Sequence, residues 1–593
     1  MEKQIINGLK KLLMRTFTKI CVFFLFISFS LNSSEYTPIS AISGLGYEPA
    51  QKEISMSSNG MVTTQHLIAT KIGEKILSQG GNAYDASIAI AFSLAVVLPR
   101  AGNIGGGGFM VLYDKNTKSS YSIDFREKAP LGSTKNMYLD SNGAFNEKRL
   151  STFGYLAIGV PGTVAGLWDV HQKFGSLPWS DLLEDSIQLS KYGFEITPYM
   201  ADVLNEYREK LSFYEPTKKI FMKNYPIESG QVLKQIDLSN TLTKISKHGK
   251  KAFYEGSIAT AIENEMKKNN GLITKEDLLS YEPVWRKPLT SQYKGTEIIT
   301  MGPPSSGGIH IIQMLNILEN FNLDEMQHNS ADYINLLAET MKYAYADRSK
   351  YLGDPDFFDV PVDLITSKKY ASEIAKNIKI GKTTKSAKIN PGMYIDNEGN
   401  ETTHFSVVDK YGNIVSATYT LNSTFGSGVV IDGTGIVMNN EMDDFAAAPG
   451  VPNQFGLLGA EANEISPLKR PLSSMSPTIV MKDNELFFTT GSPGGSRIIS
   501  AVLQSILNII DFNMNLKDAT YARRIHHQWQ PDILNIEFFI EDELESKLVD
   551  LNYDFKVINP LTNLQTIMYK DDYFYGFGDF RRPDSFASGN IND

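Results

Sequence analysis

Residues 402–408 (TTHFSVV), 409–413 (DKYGN) and 414–421 (IVSATYTL) decide the fold. The outer two runs alternate and are rich in β-branched side chains, and the middle one carries turn chemistry, so together they predict a β-hairpin. If Lys410 pairs with Asn413 across a two-residue turn, Thr402 faces Leu421; a three-residue loop moves its partner to Thr420. In both registers Thr420 sits beside Thr402. Strand propensity alone explains a threonine at such a place. What precedes it adds a second reading. Residues 380–400 (IGKTTKSAKINPGMYIDNEGN) are polar, lysine-rich and aperiodic, which predicts a flexible surface segment ending abruptly at the strand. A threonine hydroxyl is a weak nucleophile until a base takes its proton, and an adjacent N-terminal amine can be that base. Such an amine titrates near ~7.7–8.0, so much of it is neutral at pH 7, unlike a lysine near ~10.4. Cleavage of the Glu401–Thr402 bond would create that amine at the required place.

Outward from the hairpin, residues 66–78 carry Leu67, Ile68, Ile72, Ile76 and Leu77 at helical spacing, with Gly80-Gly81-Asn82 as a stop. Residues 85–98 are apolar nearly all round and predict a buried helix ended by Pro99. The glycine run at 102–108 (GNIGGGG) precedes apparent strands at 109–113 and 121–125. No Gly-Lys-Ser/Thr follows it, and the strand-before, helix-after context of a dinucleotide loop is missing, so close backbone packing is its reading. Helices are predicted at 309–318, 333–345 and 498–510, and a hairpin at 478–490 around Asp483-Asn484. Gly494-Gly495 then precede a helix N-terminus, where amides favour anions, and form a candidate oxyanion hole.

The composition is that of a globular chain: 593 residues, 42% hydrophobic, 21% charged. A net charge of -10 gives no electrostatic reason to approach nucleic acid. Lys10, Lys11, Arg15 and Lys19 precede the apolar run 20–31 (ICVFFLFISFSL), which reads as an export signal over residues 1–32. The run is short of the ~20 residues that span a bilayer, so no stable membrane span is expected after signal removal. The single cysteine, Cys21, lies inside it. A mature chain without cysteine excludes disulfides, thiolate metal sites and a cysteine nucleophile.

The run 402–409 (TTHFSVVD) resembles the processing site of the γ-glutamyltransferases (glutathione hydrolases), a family of N-terminal-nucleophile hydrolases. The resemblance extends over nearly all of the chain after the signal. It includes 103–110 (NIGGGGFM), 124–130 (DFREKAP), 159–166 (GVPGTVAG), 303–310 (PPSSGGIH), 346–355 (ADRSKYLGDP), 439–445 (NNEMDDF), 469–478 (KRPLSSMSPT) and 491–497 (GSPGGSR). It implies an α+β fold, a four-layer α/β/β/α sandwich, built as one intertwined domain from a large subunit (33–401, ending in the segment 380–401) and a small subunit (402–593). It implies cleavage between Glu401 and Thr402, with Thr402 as nucleophile and Thr420 orienting it. Arg126 should clamp the α-carboxylate of a γ-glutamyl donor with Ser473 and Ser474, while Asn422, Glu441 and Asp444 surround its α-ammonium. Glutathione and related γ-glutamyl compounds would be donors, and water, amino acids or dipeptides acceptors, with no cofactor and no metal, in the periplasm or outside the cell. A planar guanidinium suits a carboxylate and acidic groups suit an ammonium. By residue type alone, Arg126 has a surface salt bridge as its lesser alternative, and Asp443-Asp444 without the resemblance reads as a solvated turn. Two departures stand out: Phe455 occupies a lid-loop position where bacterial members often carry tyrosine, and Asp579-Phe580-Arg581 replaces Asp-Pro-Arg.

Rival classes have less support. None of the eight histidines forms His-Glu-x-x-His, and His526-His527 are adjacent and point apart. His404 is predicted to pack or hydrogen-bond and not to act as a base. An exported amino-acid binder would have no reason for a flexible segment ending at a strand-start threonine. A β-lactam side-chain acylase or a poly-γ-glutamate processing enzyme would share the machinery.

Overall fold

The computed structural model describes residues 46–142, 150–389, 402–446, 453–454, 457–558, 560 and 562–589. The export signal, the Glu401 side of the cleavage site and Phe455 lie outside the described residues. Among those described, no helix is long and apolar enough to cross a membrane.

The hairpin forms as strands Thr403–Asp409 and Ile414–Thr420. Thr403 pairs with Tyr419, which is the three-residue-loop register and sets Thr402 opposite Thr420. Gly412 allows this loop: its φ is +87° and its N–H donates to Asp409 O at 3.1 Å. Around the hairpin runs an antiparallel seven-stranded sheet in the order Phe586–Ser588, Gly60–Thr64, Thr403–Asp409, Ile414–Thr420, Gly107–Asp114, Ser119–Asp124, Val284–Arg286. A second seven-stranded sheet runs Ser55–Ser57, Tyr573–Gly578, Gln565–Lys570, Glu485–Thr490, Thr478–Lys482, Thr296–Thr300, Leu289–Tyr293. Each sheet mixes strands from before and after residue 402.

Period-two alternation assigns the faces. Phe405, Val407, Val415 and Ala417 join a core cluster with the helix Ala83–Val97. Val408 and Ile414, one residue out of phase, pack instead into the cluster of the second sheet with helices Gly307–Leu318 and Arg497–Ile510. The layers are therefore helix, sheet, sheet, helix, the α/β/β/α sandwich expected. Ser416 stitches the two sheets, with Oγ donating to Thr490 O at 3.2 Å and accepting from Thr478 N at 3.0 Å.

Helix Ala83–Val97 is buried at every residue, and Ser87 and Ser93 return their hydroxyls to Ala83 O and Ala89 O at 2.6 Å. It starts two residues before the predicted Asp85, because Asn82 caps it and Asp85 bonds back to Asn82 N at 3.1 Å. The helix predicted at 333–345 runs Ala331–Tyr351. Residues 380–389 lie largely exposed, as expected, yet are pinned: Ser386 and Ile389 are buried, and Trp529 Nε1 donates to both their carbonyls, at 2.9 and 3.1 Å. Residues 390–401 lie outside the described residues.

Candidate active site

Thr402 opens the central strand and is 5% exposed. Its Oγ1 lies 3.2 Å from Thr420 Oγ1, which also accepts from Asn422 N at 2.8 Å. Thr420 is positioned by the glycine run: a Cβ on Gly106 would stand 2.0 Å from Thr420 O, and Asn103 Nδ2 donates to that same carbonyl at 2.8 Å. The glycines thus serve close backbone approach, as read from sequence.

A pocket of about 290 Å³, counting its mouth, is lined by Thr402, Thr420, Asn422, Arg126, Glu441, Asp444, Ser473, Ser474 and Gly495. All were singled out from the sequence. Among the described candidates only Gly494 is off the lining; it stands next door with φ +131°, beside Gly495 at +55°, at the start of helix Arg497–Ile510. Both glycines hold conformations that side-chain-bearing residues avoid.

Glu441 and Asp444 are the ends of a 3₁₀ turn, Glu441–Asp444. Side chains three apart on such a turn eclipse, so the two carboxylates grip one partner. That partner is Arg126, bonded through Nη1 to Glu441 Oε1 and through Nη2 to Asp444 Oδ2 at 2.5 Å. Asp124 Oδ1 accepts from Arg126 N at 3.0 Å and Tyr281 donates to Arg126 O at 2.7 Å, which anchors its backbone. Glu127 Oε2 lies 3.7 Å from Arg126 Nη1. Burial pulls the Arg126 guanidinium down, but Glu441, Asp444 and Glu127 outweigh it and hold it above its ordinary range. Burial pushes the Glu127 and Glu441 carboxyls up, with Arg126 opposing. The structure therefore joins the residue expected to bind a carboxylate to two of those expected to bind an ammonium.

His404 faces the second sheet, over Gly491, with Nδ1 2.7 Å from Thr418 Oγ1 and Nε2 3.1 Å from Ser406 Oγ. Burial pushes it down to about 3, so it is a neutral packing group. His526 and His527 are held separately: His526 Nδ1 lies 2.9 Å from Ser500 Oγ, and His527 Nδ1 accepts from Trp529 N at 3.1 Å. In the departing triplet, Phe580 stacks on Tyr521 at 4.4 Å, while Arg581 pairs with Glu537 at 2.7 Å.

Arg348, Leu457, Met475 and Ile498 also line the pocket and were not singled out from the sequence. Arg348 had a signal: Leu337, Met341 and Ala344 form a buried helical stripe that it continues at the next turn. Ending the helix at 345 hid it.

A strand-start threonine set into the pocket of an α/β/β/α sandwich defines the class: this is an N-terminal-nucleophile hydrolase. The family profile described as Gamma-glutamyltranspeptidase matches residues 69–589. The glutathione hydrolase proenzyme of Escherichia coli (strain K12) is 47% identical over 536 residues, 90% of this chain and 92% of that one. Among solved structures, the cephalosporin acylase of Bacillus halodurans superposes with a TM-score of 0.81 at 25% identity, covering 95% of this chain and 100% of that chain. The Helicobacter pylori γ-glutamyltranspeptidase gives 0.54 at 46% identity, covering 60% of this chain and 99% of that one. The chain belongs to the γ-glutamyltranspeptidase family, and is with it an autoprocessed hydrolase and acyltransferase.

Proposed function

We propose that the chain is exported, cuts itself before Thr402 and then moves γ-glutamyl groups from amides such as glutathione to water, amino acids or dipeptides. In the first step the Thr402 hydroxyl attacks the Glu401 carbonyl, the C–N bond breaks, and the acyl group passes to oxygen. Water then hydrolyses this ester, leaving a Glu401 carboxylate and a free Thr402 amine and hydroxyl. The amine takes the hydroxyl proton as Thr402 attacks the γ-carbonyl of a donor. Gly494 and Gly495 amides steady the oxyanion, a donor whose loss typically costs ~10²–10³ in rate. The leaving amine departs protonated, and water or an acceptor amine resolves the γ-glutamyl ester.

In this reading Thr420 orients the nucleophile. Arg126, Ser473 and Ser474 hold the α-carboxylate, and Asn422, Glu441 and Asp444 hold the α-ammonium. The segments before and after the cut stay together as large and small subunits, because both contribute adjacent strands to both sheets. A signal over residues 1–32 carries the precursor to the periplasm. No cofactor enters any step.

The observation that carries this reading is the Thr402 hydroxyl, 3.2 Å from Thr420 Oγ1, facing a pocket with arginines and carboxylates set for an α-amino acid. The likeness to a cephalosporin acylase supports a second reading, amide hydrolysis of a donor without an α-ammonium. That reading leaves Glu441 and Asp444 unmatched by the substrate. Mature wild-type protein should run as two bands divided before Thr402 and release nitroaniline from a γ-glutamyl anilide faster than from a glutaryl anilide. Thr402→Ala should remain a single inactive chain; a cut Thr402→Ala protein, or preference for glutaryl, defeats the proposal.

A further inference from the structure

Residues 381–389 (GKTTKSAKI) are the last described before Thr402, and apart from the 3₁₀ turn Ser386–Lys388 they belong to no helix or strand. A polar stretch of this kind ordinarily gives its backbone to water. Here buried side chains take it instead. Asn335 accepts from Gly381 N at 2.9 Å and donates to Lys382 O at 3.1 Å. Glu339 Oε2 accepts from Thr384 N at 3.1 Å while Lys342 Nζ donates to Thr384 O at 2.8 Å, so two opposite charges hold both backbone groups of one residue. Asp532 accepts from Ser386 N at 2.9 Å and from Ser386 Oγ at 2.8 Å, and Trp529 Nε1 donates to Ser386 O and Ile389 O.

These holders are unfavourable groups for a fold to keep without a use. The Glu339 and Lys342 side chains are 1% and 0% exposed and lie 2.7 Å apart, and a buried ion pair seldom stabilises more than apolar residues of the same volume would. Trp529 holds a φ of +68°, a conformation that bulky residues avoid, with its N–H bonded to His527 Nδ1 at 3.1 Å. Asn335, Glu339 and Lys342 belong to the helix Ala331–Tyr351, whereas Trp529 and Asp532 come from beyond residue 402. The stretch is therefore docked on the parts of the chain before and after Thr402 at once.

We infer that residues 381–389 are a docking strap, and that Glu339, Lys342, Trp529 and Asp532 are positioning residues for self-cleavage before Thr402: they fix the point from which the chain runs to the scissile bond. The inference rests on the self-cleavage reading above. With the strap docked, the chain runs 13 residues from Ile389 to Thr402; with it released, 24 from Ile378, the buried residue before the strap. The arrangements open to a loop multiply with about the 3/2 power of its length, so release dilutes the one that presents Glu401 to the Thr402 hydroxyl by about 2- to 3-fold.

The strap carries Lys382, Lys385 and Lys388 on its exposed side, which makes trypsin its probe. Trp529→Phe combined with Ser386→Ala removes the two indole bonds and one of the Asp532 bonds while keeping an aromatic ring and the backbone. At about 2- to 10-fold for each bond, trypsin should cut the mature double variant after Lys385 or Lys388 about 10²-fold faster than wild type, read by mass as loss of the last residues of the large subunit. The same variant, made by cell-free synthesis and followed on a denaturing gel, should convert to two bands about 2- to 3-fold more slowly. Once converted, it should match wild type in kcat/KM on a γ-glutamyl anilide. Trypsin cutting at the wild-type rate overturns the strap, and fast cutting with unchanged conversion overturns its part in cleavage. A mature kcat/KM that falls in step with conversion marks general damage and overturns the inference equally. If the double variant does not fold, Thr384→Pro, which alters the strap alone, decides by the same readings. A wild-type chain never divided before Thr402 would defeat the self-cleavage reading instead.

Discussion

At the scale of single residues, the chemistry depends on which groups stay charged and which are spent. His404, two positions from Thr402, is spent on Thr418 and Ser406 and held neutral. In the proposed scheme the base for Thr402 therefore comes from elsewhere, from the amine that cleavage before it would expose. Asp444 remains 11% exposed on its side chain, toward the pocket, while Oδ1 takes Asn453 Nδ2 at 3.1 Å. Asp444→Asn keeps the shape and removes the charge. It should lower kcat/KM for a γ-glutamyl anilide by about 10²–10³, since breaking a buried charged hydrogen bond costs about 2–5 kcal/mol. Chain cleavage should be preserved. Steady-state kinetics with a denaturing gel would check both, and an unchanged KM would remove Asp444 from the ammonium site.

At the scale of elements, the hairpin that carries Thr402 and Thr420 is aimed by its neighbours more than by its own sequence. The Gly107–Asp114 strand can lie against Ile414–Thr420 because Gly106 and Gly108 bring no Cβ; at Gly108 one would meet Thr418 O at 2.4 Å. Gly106→Ala should push Thr420 away, at a cost of about 1–3 kcal/mol or more from overpacking against backbone. A lower Tm and a longer-lived uncut chain are expected. Gly132→Ala, where the nearest atom would be 3.6 Å away, is the control. Equal melting of the two variants would contradict the role given to close approach. The cap at Asn82 and the long helix to Tyr351 show the same dependence on context, since each boundary was set by a side-chain bond or a buried face that spacing alone does not locate.

At the scale of the whole molecule, the buried histidines set a pH limit. His66, His328 and His527 are pushed down to about 4, and His310, His404 and His526 to about 3, in each case first by burial. Their folded values lie below the ordinary ~6.5, so as pH falls through 6.5 the unfolded chain takes up protons that the folded chain refuses, and stability is lost. Carboxyls raised by burial, Glu127, Glu441, Asp169, Asp347, Asp354, Asp409, Asp511 and Asp584, work in the opposite direction, while those held low, Asp356, Asp532, Asp579, Glu263, Glu541 and Glu543, work with the histidines. The mature protein should therefore melt at a lower temperature at pH 5 than at pH 7.5. A melting temperature that rises on acidification would mean that these histidines are not held neutral.

The sequence alone sufficed for the hairpin, the buried helix and the glycine run, because these depend on short-range periodicity and steric demand, whereas the pocket side chains followed from the family resemblance. It also carried the family resemblance from which the sandwich followed. Other features needed the tertiary structure: the register that pairs Thr403 with Tyr419 and sets Thr402 across from Thr420, the union of Arg126 with Glu441 and Asp444, and the burial of Arg348 against Ser306 and Ser474. Those are relations between residues brought together across hundreds of positions. A local pattern encodes which face a side chain takes, but only the packed layers decide which charge it meets there.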